Sequence, residues 1–261
     1  MNLMNGEIEQ MSNIVISARK ALCENGDFEF VPSQFILEIK FIFAPKLLAW
    51  GALEVDSAQK WFDICKRRGL DDIKFIIPTA SDRLLVGFSN TSQGSIVCFW
   101  KKGKASCFSP WWEFDRKRNG WRVIYREQAR IKLQEGKTAF IDRTDQLKNV
   151  LSDIERFAKD IGFPYFADAF HSAHDALCDF SQIADHHVPE QVPDEFKGIY
   201  YAVEKADVFG AMGSWTDSPP YYAHKMGLDK EYNELSDRLL KQLRYHLMYV
   251  VNECWRKNGL N

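Results

Sequence analysis

The chain has 261 residues, of which 46% are hydrophobic and 27% charged, and its formal net charge is -2. This length suffices for one large domain or two ordinary ones, and this composition excludes intrinsic disorder and a membrane-embedded class. No apolar run reaches the roughly 18 residues that a spanning helix needs. The start MNLMNGEIEQ lacks the basic and apolar regions of a secretory signal, so we expect a globular protein of the cytoplasm.

Six cysteines lie far apart in the sequence and never form a C-x-x-C pair. Each has core-type neighbours, so we expect free, reduced and buried thiols. The six are Cys23, Cys65, Cys98, Cys107, Cys178 and Cys254.

Two helices are predicted in the first part of the chain. From residue 7 to residue 22, apolar side chains recur every three or four positions, which draws one helical stripe. Asp56 or Ser57 can cap a second helix, and Gly69 supplies its left-handed stop. The apolar segment 35–53 fits either a strand or a helix, and its pattern does not decide between them.

Between residues 73 and 128 the chain changes to short apolar runs separated by turn clusters. The runs are IKFII, RLLVGFS, SIVCFWK, ASCF, WWEFD and GWRVIYRE. Such a pattern predicts a meander of antiparallel strands. Asn119-Gly120 predicts a tight type I′ hairpin turn. In the last run, alternation places Val123 on a core face and Arg122 on a basic, only partly apolar face.

Beyond a boundary near Arg143 the pattern becomes wholly helical. We therefore predict an α+β protein with two domains: an α/β domain with an antiparallel sheet over residues 1–143, and an all-α domain over residues 144–261. Four helices of the expected lengths pack most simply as an antiparallel bundle. The predicted inner line of the last helix is Tyr232, Leu235, Leu239, Leu243, His246, Val250 and Cys254.

Charge is distributed unevenly along the chain. Residues 100–132 carry ten basic and three acidic side chains, whereas residues 145–261 carry twelve basic and nineteen acidic ones. Two surfaces of one molecule that attract each other would explain this layout, and so would an external partner of opposite charge. The pattern alone leaves both explanations open.

The basic middle segment also contains several tryptophans, which makes it a candidate binding region. Cations beside aromatic rings bind single-stranded nucleic acid by neutralising phosphates and stacking on bases. The same combination anchors protein partners, with a rim of charge that accelerates association. The predicted binding residues are Trp112, Arg116, Lys117, Arg118, Arg122 and Arg126.

Acidic and imidazole side chains share one face of the second helix of the all-α region. They are Asp168, His171, Asp175, Cys178 and Asp179, with His186 and His187 just beyond. Their spacing matches no zinc-protease or di-iron pattern, so we predict a solvated face with neither a metal nor a cofactor. His246 is expected to be a buried, hydrogen-bonded histidine. A metal-dependent hydrolase that uses this face or Asp207 stays an alternative.

The segment 207–217, DVFGAMGSWTD, is the most distinctive motif. We predict a structural corner of the helical domain. Gly210 and Gly213 would permit a close turn, Asp207 would tie it down by accepting backbone amides, and Trp215 would fill the core.

With the following segment 231–240, EYNELSDRLL, this motif resembles an uncharacterised bacterial family of helical domains. That family carries the pattern F-G-G-M-G-S-W-N-D, followed by Tyr, Ser and Leu on a long helix. The resemblance covers about residues 144–256, and the chain departs from it at Ala211 and Thr216. The matching positions are Phe209, Gly210, Met212, Gly213, Ser214, Trp215, Asp217, Tyr232 and Ser236.

By general build, the chain is similar to immunity proteins of bacterial toxin systems, which act by capping a toxin. The resemblance implies a non-enzymatic protein-interaction module whose protein partner is a toxin. The residues leave two alternatives: a nucleic-acid-binding protein that uses segment 100–130, and the hydrolase named above. No membrane contact is expected.

Overall fold

The fold is that of a computed structural model of the chain. It describes residues 6–45, 52–79, 94–101, 103–129, 139–183, 188–210 and 212–256. Because these residues form a mixed six-stranded sheet and seven α-helices, the predicted α+β class is confirmed. No helix in these ranges is both long enough and apolar enough to cross a membrane.

The helices and strands are numbered in chain order. The helices are α1 (Gly6–Glu24), α2 (Ala58–Arg67), α3 (Thr144–Asp160), α4 (Pro164–Cys178), α5 (Asp194–Ala206), α6 (Pro219–Lys225) and α7 (Asp229–Glu253). The strands are β1 (Ile36–Ile42), β2 (Glu54–Val55), β3 (Leu70–Ile76), β4 (Ser95–Trp100), β5 (Lys104–Asp115) and β6 (Gly120–Ala129). A 3-10 turn, Phe180–Gln182, follows α4.

The chain divides into two compact units, which are named here by their main content. The sheet unit consists of the described residues of Asn5–Ile77, Asn90–Phe140 and Val251–Asn261. The helical unit consists of the described residues of Pro78–Ser89 and Ile141–Val250. The last three residues of α7 therefore belong to the sheet unit.

The strand order in the sheet is β2-β1-β6-β5-β4-β3. Neighbouring strands run antiparallel except β1 and β6, which run parallel. The sheet is thus mixed, whereas the sequence predicted a wholly antiparallel one. The apolar segment that fitted either strand or helix contributes β1, where Phe41 stacks on Tyr125 of β6 with ring centroids 4.7 Å apart. This contact buries both rings and holds β1 beside the last strand.

The predicted runs ASCF and WWEFD form one continuous strand, β5, which contains Pro110. Proline is tolerated there because β4 pairs only with residues 104–108, so no carbonyl of β4 requires the missing N–H. On the other side Pro110 stays in register with Tyr125 of β6. The predicted run RLLVGFS lies outside the described residues.

The turn between β5 and β6 is longer than the predicted type I′ turn. Asp115 pairs with Gly120, which leaves residues 116–119 in the turn, and of these only Asn119 has a positive φ, 51°. Gly120 is needed for another reason. A Cβ at this position would lie 2.6 Å from Leu37 Cγ, so glycine permits the close approach of β1.

The predicted helices of the second half are present, with corrected ends. Every residue of the predicted inner line of the last helix is buried, although Cys254 lies just after the end of α7. The pattern of apolar residues predicts a second helix from Tyr165 to about residue 184, but this helix ends at Cys178. The sequence predicts a break in the chain from Asp217 to Pro220, but Pro219 begins the short helix α6, because proline is tolerated in the first turn of a helix.

Candidate interaction surface

The β5–β6 hairpin carries an exposed group of aromatic and basic side chains, called here the hairpin surface. It comprises Trp111, Phe114, Arg116, Lys117, Arg118 and Arg126. The carboxylate of Asp115 fixes the turn that presents the three central cations, since its Oδ1 accepts the backbone N–H groups of Lys117 at 3.0 Å and Arg118 at 3.1 Å. Local hydrogen bonds therefore hold these cations at the tip of the hairpin.

Trp111 is the outward-facing member of the Trp111-Trp112 pair. Trp111 is 62% exposed and lies opposite Ile124 of β6. Trp112 lies opposite the buried Val123 instead, is half-buried, and packs edge-on against Trp121 with ring centroids 5.8 Å apart. The predicted anchor Trp112 therefore supports the sheet, and the exposed ring belongs to its neighbour.

Phe114 is a second exposed aromatic residue near the hairpin tip, and it lies on the face of the hairpin opposite to Trp111. Its side chain is 43% exposed and rests on Trp121 with ring centroids 5.0 Å apart. Phe114 is not among the binding residues that the sequence predicts. The feature that could have identified Phe114 is its position two residues before the turn, where it is in register with Trp121.

Arg122 differs from the other predicted cations because carboxylates already surround it. Its Nη2 lies 2.8 Å from Asp115 Oδ2, and its Nε lies 3.9 Å from Glu38 Oε2. Glu113 is in register with it on β5. Arg122 thus braces the hairpin to β1, and little of its charge remains for a partner.

Arg126 is exposed on the outward face of β6. It is in register with Ser109 of β5 and Ile42 of β1, two side chains that carry no charge. Lys40, which is in register with Ile124, forms ion pairs with Glu38 at 3.0 Å and Glu54 at 3.1 Å. The outward face of the sheet is therefore mixed in charge, and the excess of cations lies at Arg126 and the hairpin tip.

Trp215 of the distinctive motif is fully buried in the helical unit. Its Nε1 donates to Ser236 Oγ and its carbonyl accepts from Tyr232 Oη, each at 2.8 Å. Its ring packs against Phe157 of α3 and Phe170 of α4, with centroids 6.5 Å and 5.5 Å away. Two of the positions that carry the family resemblance, on α7, thus bind the tryptophan directly.

The turn before Trp215 is held by Asp217, whose Oδ2 accepts the backbone N–H of Gly213 at 2.8 Å. Gly213 has a φ of 80°, a conformation that favours glycine. Gly210 has no such φ, and a Cβ there would make an ordinary 3.6 Å contact with Ser214 Cβ. Ala211 lies outside the described residues.

Asp207 ends α5 and has a perturbed carboxyl group. Burial raises its pKa to about 7, although the guanidinium of Arg244 and the backbone N–H of Phe209 act in the opposite direction. The carboxylate therefore accepts one amide at the start of the turn, as the sequence predicted in part. A pKa near neutrality also suits a general base.

The polar face of α4 forms local contacts. His171 Nδ1 lies 3.3 Å from Glu155 Oε2 of α3, and its Nε2 lies 3.3 Å from Asp175 Oδ2. Asp179 caps the 3-10 turn by accepting the backbone N–H of Ser181. Within the described ranges, no group of three His, Cys, Asp or Glu side chains could hold a metal ion. His186 and His187 lie outside those ranges.

His246 is fully buried in α7, as predicted. Its Nδ1 lies 2.8 Å from the carbonyl oxygen of Gln242, one turn earlier. Burial lowers the pKa of the imidazole, so the ring is neutral around pH 7. A neutral ring bonded to its own helix is a packed side chain in the core.

The interpretation of these sites rests on the geometry of the chain alone. No protein-family model, no curated protein and no solved structure matches the chain.

Proposed function

We propose that the protein is a non-enzymatic interaction module of the immunity type, which binds an acidic surface of a toxin through the hairpin surface. One observation carries the proposal: an exposed tryptophan, Trp111, and four exposed cations share a hairpin in which Arg122 is already paired with Asp115. Tryptophan and arginine dominate the energetics of protein interfaces, and surrounding cations accelerate association with an acidic partner.

The mixed charge of the outward face favours a protein over a nucleic acid. Glu38 and Glu113 flank Arg122 on neighbouring strands, so carboxylates interrupt the basic surface. A phosphate backbone is uniformly negative and would be repelled there, whereas a protein surface can offer a cation for each acid.

Charge reversal at the hairpin tip tests the proposal. A variant that combines Arg116→Glu, Lys117→Glu and Arg118→Glu should lose a stoichiometric protein partner that the wild type captures from its native cells, and Trp111→Ala should weaken capture. The matched control reverses three exposed cations of the helical unit, Arg156, Lys230 and Lys241. Capture that is equal in the tip variant and the control, or no captured partner at low and moderate salt, would refute the proposal.

Single-stranded nucleic acid is the second candidate, because the exposed Trp111 ring and Arg126 share the outward face of the hairpin. A labelled 20-nucleotide oligothymidine distinguishes the two. Stacking and phosphate contacts predict saturable binding that weakens steeply with salt and with Trp111→Ala. The toxin-binding proposal predicts no saturable binding at physiological salt.

Three finer features belong to the same proposal. The six cysteines are unpaired, which supports a location in the reducing cytoplasm. The consecutive antiparallel pairing of β3 to β6 supports a meander, and the rings of α3, α4 and α7 around Trp215 support an antiparallel bundle. The hydrogen bonds from Tyr232 and to Ser236 support membership of the bacterial family that the motif resembles.

A further inference from the structure

A pocket of about 140 Å³ opens in the sheet unit, beside α1, β3 and the segment that follows α7. Its charged lining consists of Arg19, Lys74, Arg256, Asp71, Asp72 and Glu253. Trp255 and Leu22 form the apolar part of the wall, and Cys23 also lines the pocket. The hairpin surface contributes no residue to this pocket.

Two cations of the lining are almost completely buried. Arg19 is 6% exposed and Lys74 is 4% exposed. Arg19 Nη1 donates to Asp72 Oδ1 at 2.6 Å and to the carbonyl of Ile73 at 2.8 Å. Burial lowers the pKa of Lys74, while the carboxylates of Asp72 and Glu253 oppose that change. A pocket that contains buried charge offers strong polar interactions to a ligand that displaces its water.

Arg19, which lines the pocket, has one unsatisfied donor. Arg19 Nε is buried and has no hydrogen-bond partner among the described residues. A buried donor without a partner costs about 1–3 kcal/mol, and a shift of the Arg19 side chain that brings Nε against an acceptor of a ligand would recover that energy. A carboxylate is the acceptor that a guanidinium binds best.

The acidic side chains of the pocket indicate which charged group the ligand carries besides its carboxylate. Three acidic and three basic side chains balance in the lining, so a ligand without net charge fits better than a simple anion. Asp72 is engaged by Arg19 at 2.6 Å, and Glu253 lies 3.8 Å from Arg256 Nε. Asp71 is an exposed carboxylate of the lining for which the structure shows no ion pair within the described ranges. It suits an ammonium group.

We propose that this pocket binds a small zwitterion of the amino-acid class, with its carboxylate on Arg19 and Arg256 and its ammonium group on Asp71. The volume is consistent with this class, since a cavity of about 150 Å³ accommodates benzene. Glycine, alanine and serine are therefore the right size.

The rate at which the Cys23 thiol is alkylated should report whether the pocket is occupied. Its Sγ lies 3.6 Å from the carbonyl oxygen of Arg256, at the edge of the pocket, and Cys178 provides an exposed internal control in the helical unit. Iodoacetamide labelling of the full chain, read by mass spectrometry, is measured with glycine, L-alanine or L-serine present. At about ten times its dissociation constant, the bound amino acid should slow alkylation of Cys23 about ten-fold and leave Cys178 unchanged.

Two exposed residues test the assignment of charges without removing a buried group. Asp71→Asn and Arg256→Gln should each raise the concentration needed for protection about ten-fold, because each removes one charge-assisted contact. Acetate carries only the carboxylate of the ligand, and methylamine carries only the ammonium group. Each should therefore protect Cys23 far less than alanine does. Isothermal titration calorimetry with the same compounds gives a readout that does not depend on the thiol.

Each of the following results would overturn the proposal. Neither protection nor heat from any of the three amino acids would show that the pocket binds no zwitterion of this size. Equal slowing at Cys178 would show a general effect of the additive. Protection by acetate that matches alanine, or wild-type behaviour of Asp71→Asn, would show that the ammonium contact is absent, and wild-type behaviour of Arg256→Gln would show the same for the carboxylate contact.

Discussion

The buried indole N–H of Trp215 donates to the hydroxyl of Ser236 at 2.8 Å. Ser236→Ala removes this acceptor and leaves the indole N–H unsatisfied inside the core, so we expect the free energy of unfolding to fall by about 1–3 kcal/mol. Urea denaturation of the full chain measures the change. Ser152→Ala, at an exposed position of α3, is the control and should change stability by less than about 0.5 kcal/mol. Equal losses in the two variants would contradict the assigned bond.

Asp207 should make stability depend on pH between about 4 and 7. Its pKa is about 7 in the folded protein and near 4 in the unfolded chain. Between these values the folded state holds a proton that the unfolded state has lost, so the free energy of unfolding falls as pH rises and levels off above 7. The total loss is on the order of 4 kcal/mol.

Asp207→Asn isolates this contribution, because it removes the titrating group and leaves the other ionisable residues in place. The stability of the wild type minus that of the variant should decrease from pH 4 to pH 7 and then stay constant. Urea unfolding at several pH values measures this difference. A difference that is flat across the range would show that Asp207 does not retain its proton in the folded state.

Burial at single positions was largely predictable from the sequence. The face of the sheet on which a side chain lies, and its hydrogen-bond partner, were not. Helical spacing alone identified the buried line of α7, and the lone tryptophan of the motif was correctly expected in the core. The pair Trp111-Trp112 must place one ring on each face, but only the register with β6 decides which ring faces out. Asp207 and Asp217 both flank the turn, and nothing in their spacing indicates that Asp217 binds Gly213.

The pairing of β1 with β6 depends on the absence of a side chain at Gly120. Gly120→Ala would place a Cβ 2.6 Å from Leu37 Cγ and 2.9 Å from the carbonyl oxygen of Phe35, so we expect a loss of about 1–3 kcal/mol in unfolding free energy. Leu37→Ala in the same chain should recover part of this loss. A double-mutant cycle from urea unfolding measures the coupling, and additive effects of the two changes would contradict the proposed clash.

Pairing between distant strands explains where element prediction failed. The strands of segment 94–129 follow one another along the chain, and the alternation of apolar and polar residues predicted them. The parallel partner of β6 comes instead from residues 36–42, which the pattern left open between strand and helix. No local signal specifies a partner some eighty positions away, because that choice is made by packing such as the stack of Phe41 on Tyr125.

The cysteines give a test at the scale of the whole chain. Four of the six are buried, and all four lie in the sheet unit: Cys65, Cys98, Cys107 and Cys254. Burial raises the pKa of the Cys254 thiol to about 12 and also raises those of Cys98 and Cys107, so these three hold little reactive thiolate at pH 8. We expect iodoacetamide to label only Cys23 and Cys178 rapidly in the native protein.

The same four thiols should become reactive together as urea is raised, because a single core that unfolds cooperatively exposes all its members in one transition. Mass spectrometry after a short labelling pulse at each urea concentration gives the fraction labelled at every cysteine. Labelling in fully unfolding urea supplies the reference at which all six react. If Cys254, in the segment after α7, were exposed at a lower urea concentration than Cys98 in β4, then the segment that returns to the sheet unit would unfold separately from the sheet.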